Sequence, residues 1–172
     1  MWVDETISAV ASSEILEKGF PEFDSGLFYS RALVFHYIQA FFLIFHHSDF
    51  SARLVSVLFG VFTIILGYFI GKEYDETTGI VAALFSAVLS LEIFYSQQAR
   101  FYQMFQFFFF LTFFLLYKSG KGEKKKLYAW LASVSLVILV NTHIAGLIAV
   151  PFFFILFFKE QKDWKLFIIP SL

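Results

Sequence analysis

Two adjacent carboxylates near the start of the chain are its sharpest candidates for chemistry. Asp4 and Glu5 follow Trp2 and precede a segment whose apolar residues have helical spacing. A carboxylate pair in this position can act as a general base or as a cation ligand. The structural alternative is that Asp4 caps a helix, with an acidic group stabilising its first turn. Spacing alone favours the structural interpretation.

Arg31 is a candidate for binding a phosphate group. It directly precedes the apolar segment 32–45. A guanidinium group forms paired, charge-assisted hydrogen bonds with phosphate oxygens. The alternative is an interfacial arginine that extends toward lipid headgroups. The sequence around Arg31 leaves both interpretations open.

A polar turn at residues 96–102 separates two very apolar segments. It contains Gln97, Gln98, Arg100 and Tyr102. Amide and guanidinium groups beside an aromatic ring are typical of a sugar or lipid-phosphate site. The alternative is an ordinary loop with an interfacial arginine and tyrosine, as is common at membrane boundaries.

Two further residues stand out because they interrupt apolar sequence. His143 follows Asn141 and Thr142 between two apolar blocks, where a hydrogen-bonded or pore-lining role is favoured over metal binding. Glu92 follows a block of about thirteen apolar residues. A carboxylate in such a block is a functional candidate because it is costly to bury in lipid. The alternative is that Glu92 extends outward to the interface.

The elements that position these residues are predicted to lie in a membrane. Hydrophobic residues make up 59% of the 172 residues, charged residues 16%, and phenylalanine occurs 27 times. Soluble domains average roughly 45–50% apolar and ~25% charged residues. The absence of cysteine excludes a disulfide scaffold, and the net charge of -1 gives no basic surface for nucleic acid. No cofactor is indicated, although a divalent cation is compatible with the sequence.

The chain divides into two regions at residue 53. Residues 1–53 carry seven of the fourteen acidic residues and are predicted to form an external loop of amphipathic juxtamembrane helices, the first of which stops at Gly19 and Pro21. Residues 54–172 alternate apolar blocks with short polar breaks. A span needs about 17–20 apolar residues, so the last two complete blocks are short. The predicted spans are 54–70, 79–95, 101–117, 127–141 and 144–158, with the start of a sixth at 166.

The distribution of basic residues sets the predicted orientation. With five spans, nine of the thirteen lysines and arginines fall in loops on one side, which the positive-inside rule assigns to the cytoplasm. A single span over 127–148 would break this asymmetry. The fold class is therefore predicted as all-α, a multi-pass bundle of about five transmembrane helices in a cell membrane. All the candidate residues then lie toward its non-cytoplasmic face.

The order and spacing of these motifs resemble the GT-C membrane glycosyltransferases. The closest similarity is to the branch with dolichyl-phosphate-mannose protein mannosyltransferases, the lipid A aminoarabinose transferase and the Rgt-type lipopolysaccharide glycosyltransferases. The resemblance covers essentially the whole chain and rests on the order of several weak motifs. These are Trp-Val-Asp-Glu-Thr at 2–6, Lys-Gly-Phe-Pro at 18–21, Tyr-Ser-Arg-Ala-Leu at 29–33, His-Tyr-Ile at 36–38, Asp-Phe-Ser-Ala-Arg-Leu at 49–54, the 96–102 turn, Asn-Thr-His at 141–143 and the lysine-containing loop 159–165.

The resemblance implies an inverting transfer from a polyprenyl-phosphate-linked sugar on the external face. Asp4, with Glu5 beside it, is similar to the family's catalytic carboxylate, which takes the proton of the acceptor hydroxyl. Arg31 and Arg100 are similar to the groups that hold the donor phosphate, although Ala32 replaces a proline found there in the aminoarabinose transferase. Gln97, Gln98, Tyr102, His143 and Glu92 complete the predicted substrate contacts.

The acceptor implied by the resemblance is a lipid, a glycan or a protein, and membrane lipids surround the chain. Family members have a membrane helix before the first external loop and further spans after it. The sequence is therefore expected to be the catalytic N-terminal portion of a longer or split enzyme. The alternative function is a non-catalytic membrane subunit or transporter fragment that shares the helical scaffold.

Overall fold

The computed structural model describes residues 2–121 and 123–160, and this part of the chain is helical without a β-strand. Eight α-helices follow one another along it, and a 3₁₀ turn at Ile144–Ile148 precedes the last. They are α1 (Val3–Lys18), α2 (Leu33–Phe45), α3 (Asp49–Lys72), α4 (Glu76–Val88), α5 (Ser90–Ser96), α6 (Tyr102–Ser119), α7 (Lys125–Thr142) and α8 (Ala149–Glu160).

Short connections make the helices from α3 onward run alternately up and down. One end of the bundle, named here the arginine end, contains Arg53 at the start of α3 and Arg100 just before α6. The other, named the lysine end, contains Lys72, Lys118 and Lys125. An ion pair between Lys118 and Glu73 joins α6 to the end of α3 at the lysine end. The two ends therefore carry different chemistry.

Helices α1 and α2 pack together and against the start of α3 at the arginine end. Helix α1 ends at Lys18 because Gly19 adopts a φ of 84°, a left-handed conformation that suits glycine. The prediction that Gly19 stops this helix is confirmed. The prediction that Asp4 caps it is wrong: the N-cap is Trp2, and Asp4 lies inside the first turn.

A buried polar network fastens α1 to α2 and α3. The Ser12 hydroxyl donates to Gln39 Oε1 at 2.6 Å, and Gln39 Nε2 donates to the Ala52 carbonyl at 2.7 Å. His36 Nδ1 lies 3.3 Å from the same hydroxyl. Buried polar groups need such partners, so these bonds fix how the two short helices sit on α3.

The two larger of three clusters of buried apolar side chains form most of the interior. One joins α2, α3 and the start of α6, and the other joins α6, α7 and α8. The first contains Ala32, Phe35, Val55, Phe59, Phe101 and Met104, and the second contains Leu116, Ala132, Leu136, Leu139, Ala149 and Phe153.

Helices α3 and α4 approach closely because glycines lie at their contact. A Cβ atom at Gly71 would lie 2.7 Å from the Thr78 carbonyl, and one at Gly79 would lie 2.9 Å from the Tyr68 carbonyl. Gly67 and Gly71 form a Gly-x-x-x-Gly pair on α3. Small residues at this spacing are typical of helix packing in membranes, where backbones can come close together.

Helix length and apolarity identify one candidate membrane span in the described residues. This is α3, and the pair α4 and α5 would qualify only as one span bent by 59°. The predicted span 79–95 is thus divided at Leu89, whose backbone is extended with φ -66° and ψ 121°. Helices α6, α7 and α8 overlap the other predicted spans but do not meet the same length and apolarity criterion, so the five-span bundle stays a prediction. The block that begins at 166 lies outside the described residues.

The boundary between α7 and α8 shows whether residues 127–148 form one continuous helix, the alternative weighed from the sequence. Helix α7 ends at Thr142, and the 3₁₀ turn folds back so that a Cβ at Gly146 would lie 2.9 Å from the Leu139 carbonyl. Helix α8 then packs against α6. A single helix over 127–148 is therefore wrong.

We predict that Gly79→Ala destabilises the bundle by about 1–3 kcal/mol, because the new methyl group would meet the α3 backbone. Gly67→Ala is the matched control, since its Cβ would lie 3.3 Å from the movable Ser86 hydroxyl. Thermal unfolding of the detergent-solubilised protein measures both. Equal unfolding midpoints for the two variants would contradict the close α3–α4 contact.

Candidate functional site

The Glu5 carboxylate joins three distant parts of the chain at the arginine end. Glu5 Oε2 accepts from the Trp2 backbone N–H at 2.9 Å, and Oε1 accepts from the Ala99 backbone N–H at 2.8 Å. The Arg53 guanidinium forms a two-pronged contact, with Nε and Nη2 each 3.2 Å from a carboxylate oxygen. Glu5 is only 2% exposed. The carboxylate therefore fixes the start of α1 and the 96–102 turn on α3.

Four donors keep Glu5 in its ionised form. Burial by itself would raise the pKa of this carboxyl group, but hydrogen bonds from Trp2 and Ala99 and the Arg53 guanidinium together lower it below its usual value. The same donors occupy both carboxylate oxygens. This geometry suits Glu5 to positioning its neighbours rather than to accepting a proton from a substrate.

Asp4, by contrast, is exposed to solvent. Adjacent residues of a helix point in directions about 100° apart, so burying Glu5 turns the Asp4 side chain outward. Its carboxylate forms no hydrogen bond or ion pair with any residue in the described ranges, while its backbone carbonyl accepts from Arg100 Nη1 at 2.9 Å. Asp4 is thus an accessible base held beside an arginine.

The Arg100 guanidinium is held by aromatic rings. Its Cζ lies 5.0 Å from the centroid of the Phe101 ring and 5.5 Å from that of Tyr102. The Ser56 hydroxyl donates to the Arg100 carbonyl at 2.9 Å and fixes the backbone. Arg100 Nε is buried and has no hydrogen-bond partner among residues 2–121 and 123–160. Arg100 therefore keeps one N–H without a described partner, although this atom is enclosed.

Arg31 lines a cavity of about 480 Å³ between the start of α2 and the end of α7. Ala32, which follows it, has a φ of 49°, a left-handed conformation that costs a residue with a side chain about 1–2 kcal/mol. Ala32 is also 1% exposed and packs in the first apolar cluster. Packing therefore holds the backbone that carries the exposed Arg31 side chain.

His143 lies in the same cavity and connects it to the polar turn. Its ring stacks on Phe101 with centroids 5.3 Å apart. His143 Nδ1 accepts from the Ala145 backbone N–H at 3.1 Å, so the neutral ring carries its proton on Nε2. Phe101 therefore contacts both the His143 ring and the Arg100 guanidinium.

An apolar groove along α2 adjoins this cavity. The groove has a volume of about 560 Å³ and ends at Asn141, which also lines the cavity. The cavity that Arg31 lines and the open apolar groove therefore share one lining residue, Asn141. The residues of α2 that line the apolar groove are Leu33, Val34, Tyr37, Ile38 and Phe41.

The remaining predicted contacts divide between the site and the bundle interior. Gln97 is exposed and Gln98 half-buried, and neither side-chain amide bonds to a described residue. Tyr102 packs on Tyr95, with ring centroids 5.1 Å apart. Tyr102 also contacts Arg100, whose Nη1 bonds to the Asp4 carbonyl, so this part of the turn lies beside the start of α1.

The Glu92 carboxylate is held by the first turns of α6. Gln103 Nε2 donates to Glu92 Oε2 at 3.1 Å, and Gln106 donates to the other carboxylate oxygen. Sequence reasoning missed both glutamines and the role of Arg53. The sequence did contain a sign of the glutamine pair, since Gln103 and Gln106 are three residues apart on an apolar helix and therefore share one face.

His36 is a second buried titratable group at this end. Burial lowers the pKa of its imidazole from 6.5 to about 4, and the hydrogen bond to Gln39 only partly opposes this effect. No three His, Asp or Glu side chains cluster in metal-binding geometry within the described part of the chain.

Comparison with known families gives one match. The family model described as dolichyl-phosphate-mannose-protein mannosyltransferase matches residues 30–171. The matched region contains Arg31, Arg100 and His143 and begins after α1, so it does not include Asp4 or Glu5. No curated protein and no solved structure matches the chain.

We predict that Glu5→Ala lowers the free energy of unfolding by about 2–3 kcal/mol. Breaking a buried ion pair costs about 3–5 kcal/mol, and partial exposure of Arg53 lowers this figure. Asp4→Ala is the control and should change stability by less than about 0.5 kcal/mol. Thermal unfolding in detergent compares the variants. Equal effects at the two positions would rule out Glu5 as the junction.

We also predict that stability falls as the pH drops from 6.5 to about 4, because the unfolded state protonates His36 in this window and the folded state does not. The contribution is on the order of 3 kcal/mol. His36→Gln should flatten the dependence of the unfolding free energy on pH, whereas the exposed His47→Gln should retain it. An unchanged slope in His36→Gln would refute the assignment.

Proposed function

The chain belongs to the dolichyl-phosphate-mannose-protein mannosyltransferase family, and from this membership we propose that it transfers a sugar from a polyprenyl-phosphate-linked donor to an acceptor hydroxyl. The family consists of membrane glycosyltransferases of the GT-C type. The single observation that carries the proposal is the junction at Asn141, where the cavity beside Arg31 meets the apolar groove of α2. A polyprenyl-phosphate donor also has two parts: a charged phosphate, which we assign to the cavity, and a long isoprenoid chain, which we assign to the groove.

The donor phosphate is assigned to the two arginines. Arg31 lines the cavity, and Arg100, whose guanidinium lies over the Phe101 ring, carries a buried Nε without a partner among the described residues. Guanidinium groups stabilise the charge that grows on a departing phosphate. The isoprenoid chain then lies along the groove of α2, where apolar and aromatic side chains exclude water.

Asp4 is proposed as the base for the acceptor hydroxyl. Asp4 takes the hydroxyl proton as the oxygen attacks the anomeric carbon from the face opposite the phosphate. A new C–O bond forms, the C–O bond to the phosphate breaks, and its electron pair leaves with the phosphate oxygen. Attack opposite the leaving group gives inversion. Glu5 contributes by holding α1 and the 96–102 turn in register.

The sugar and acceptor contacts are assigned to polar groups around this path. Gln97 and Gln98 offer side-chain amides, Tyr102 offers an aromatic face, and His143 offers the Nε2 proton. Glu92 is assigned to a supporting role, because its carboxylate is bonded to glutamines of α6. The acceptor is proposed to be a lipid, a glycan or a protein.

The proposed placement in the membrane has five traverses. These are α3, the bent pair of α4 and α5, α6, α7 and α8. The arginine end then faces the non-cytoplasmic side, and the lysine end faces the cytoplasm in accordance with the positive-inside rule. Helices α1 and α2 lie along the external surface, where the 13-residue α2 is too short to span.

We predict that Asp4→Asn abolishes transfer, reducing it by at least about a hundredfold, because removal of a general base costs 10²–10⁴-fold. The measurement is transfer of label from polyprenyl-phospho-sugars by membranes that contain the protein. Glu17→Gln, which changes an exposed carboxylate on the same helix, should retain wild-type transfer.

Two outcomes would contradict this proposal. Full transfer by Asp4→Asn at normal membrane insertion would remove Asp4 as the base. Absence of transfer by the unmodified protein from every polyprenyl-phospho-sugar would favour the alternative, a non-catalytic subunit or transporter fragment.

A further inference from the structure

Asn141 lines both the cavity beside Arg31 and the apolar groove of α2, and the proposed function gives its side chain no role. It lies exposed in the last turn of α7. Its Nδ2 donates to the Val137 carbonyl at 2.8 Å, which fixes the direction of the amide. A side-chain amide has two N–H donors and one acceptor oxygen. One N–H and Oδ1 therefore have no partner among residues 2–121 and 123–160.

On the groove side, the amide of Asn141 interrupts an otherwise apolar lining. The other polar group there is the Tyr37 hydroxyl, which already donates to the Gly19 carbonyl at 3.0 Å. The remaining lining residues, all from α2, are hydrocarbon or aromatic side chains. Within the described residues, a long apolar chain in this groove thus meets an unused N–H donor where it reaches α7, at Asn141.

On the cavity side, the neighbours of Asn141 suit an anion. The exposed Arg31 guanidinium forms no hydrogen bond or ion pair with a described residue. The neutral His143 ring carries its proton on Nε2, because Nδ1 accepts from the Ala145 N–H at 3.1 Å. The lining found for this cavity contains no aspartate or glutamate. Arginine charge and neighbouring N–H donors are the groups that bind phosphate oxygens.

We propose that Asn141 is a specificity-determining residue that contacts the donor where its phosphate joins its isoprenoid chain. This inference rests on the proposed function, and it names the feature of the donor that the site selects: a phosphate bonded directly to a long apolar chain. The free N–H of Asn141 donates to a phosphate oxygen, Arg31 pairs with the phosphate charge, and the first isoprenoid units lie along α2. Inorganic phosphate lacks the chain and a free prenol lacks the charge, so each uses half of the contacts.

The test titrates the purified full chain in detergent with farnesyl phosphate, with farnesol and with inorganic phosphate, and measures binding by calorimetry. Farnesyl phosphate carries no sugar, so the measurement does not depend on transfer. We expect the unmodified protein to bind farnesyl phosphate at least about tenfold more tightly than either of its parts, because hydrogen bonds to a charged group add to burial of the chain.

Two variants of Asn141 separate its donor from its size. Asn141→Asp keeps the size but replaces the N–H by a negatively charged oxygen, and should weaken farnesyl phosphate binding at least about tenfold through repulsion of like charges. Asn141→Leu removes the donor without adding charge and should weaken it about fivefold. Both should bind farnesol as the unmodified protein does. His47→Asp adds the same charge at an exposed position outside the cavity and should retain the binding of all three ligands.

The ratio of farnesyl phosphate to farnesol affinity is the deciding measurement, since a general loss of structure would lower both affinities together. The proposal is overturned if Asn141→Asp retains the unmodified ratio, or if His47→Asp lowers it equally. Equally tight binding of dioleoyl phosphatidic acid, lost in the same variants, would assign the junction to a membrane phospholipid and also overturn it. Each of these results leaves the transfer reaction to its own assay. Failure of the unmodified protein to prefer farnesyl phosphate over farnesol would instead overturn the proposed donor site together with this inference.

Discussion

The arrangement of the arginine end depends on one buried carboxylate that must be paired. Glu5 is held by Arg53, 48 residues away, and by the Ala99 backbone N–H, 94 residues away. A buried charge without partners would cost several kcal/mol, so α1, α3 and the 96–102 turn can pack only in the arrangement that supplies these donors. That arrangement also places the Asp4 carbonyl against Arg100.

The two ends of the bundle present different groups. At the arginine end, an exposed carboxylate, two arginines and a cavity joined to an apolar groove match the parts of a lipid-linked sugar donor in the proposed reaction. At the lysine end, ion pairs such as Lys118–Glu73 and an aromatic crevice lie between the same long helices. Short hairpin connections produce this separation, because alternate loops in an up-and-down bundle fall at opposite ends.

Several features of the fold could be predicted from local sequence. The stop of α1 at Gly19 and the short length of α2 follow from local backbone preferences and apolar runs. The helix break at Leu89 was missed because no proline or glycine lies close to Leu89 within the apolar segment 79–95. The partners of Glu92 were missed for a different reason, since Gln103 and Gln106 belong to the next helix and contact it only after folding.

The sequence by itself determined the helical class, the order of the polar turns and the residue types available for chemistry. It placed Asp4 and Glu5 side by side but could not distinguish them, because both are acidic and either can stabilise a first helical turn. Only the tertiary structure decided that Glu5 is buried and Asp4 is exposed. The deciding donors, Arg53 and the Ala99 N–H, come from distant segments, and two successive side chains on a helix cannot both face the same partners.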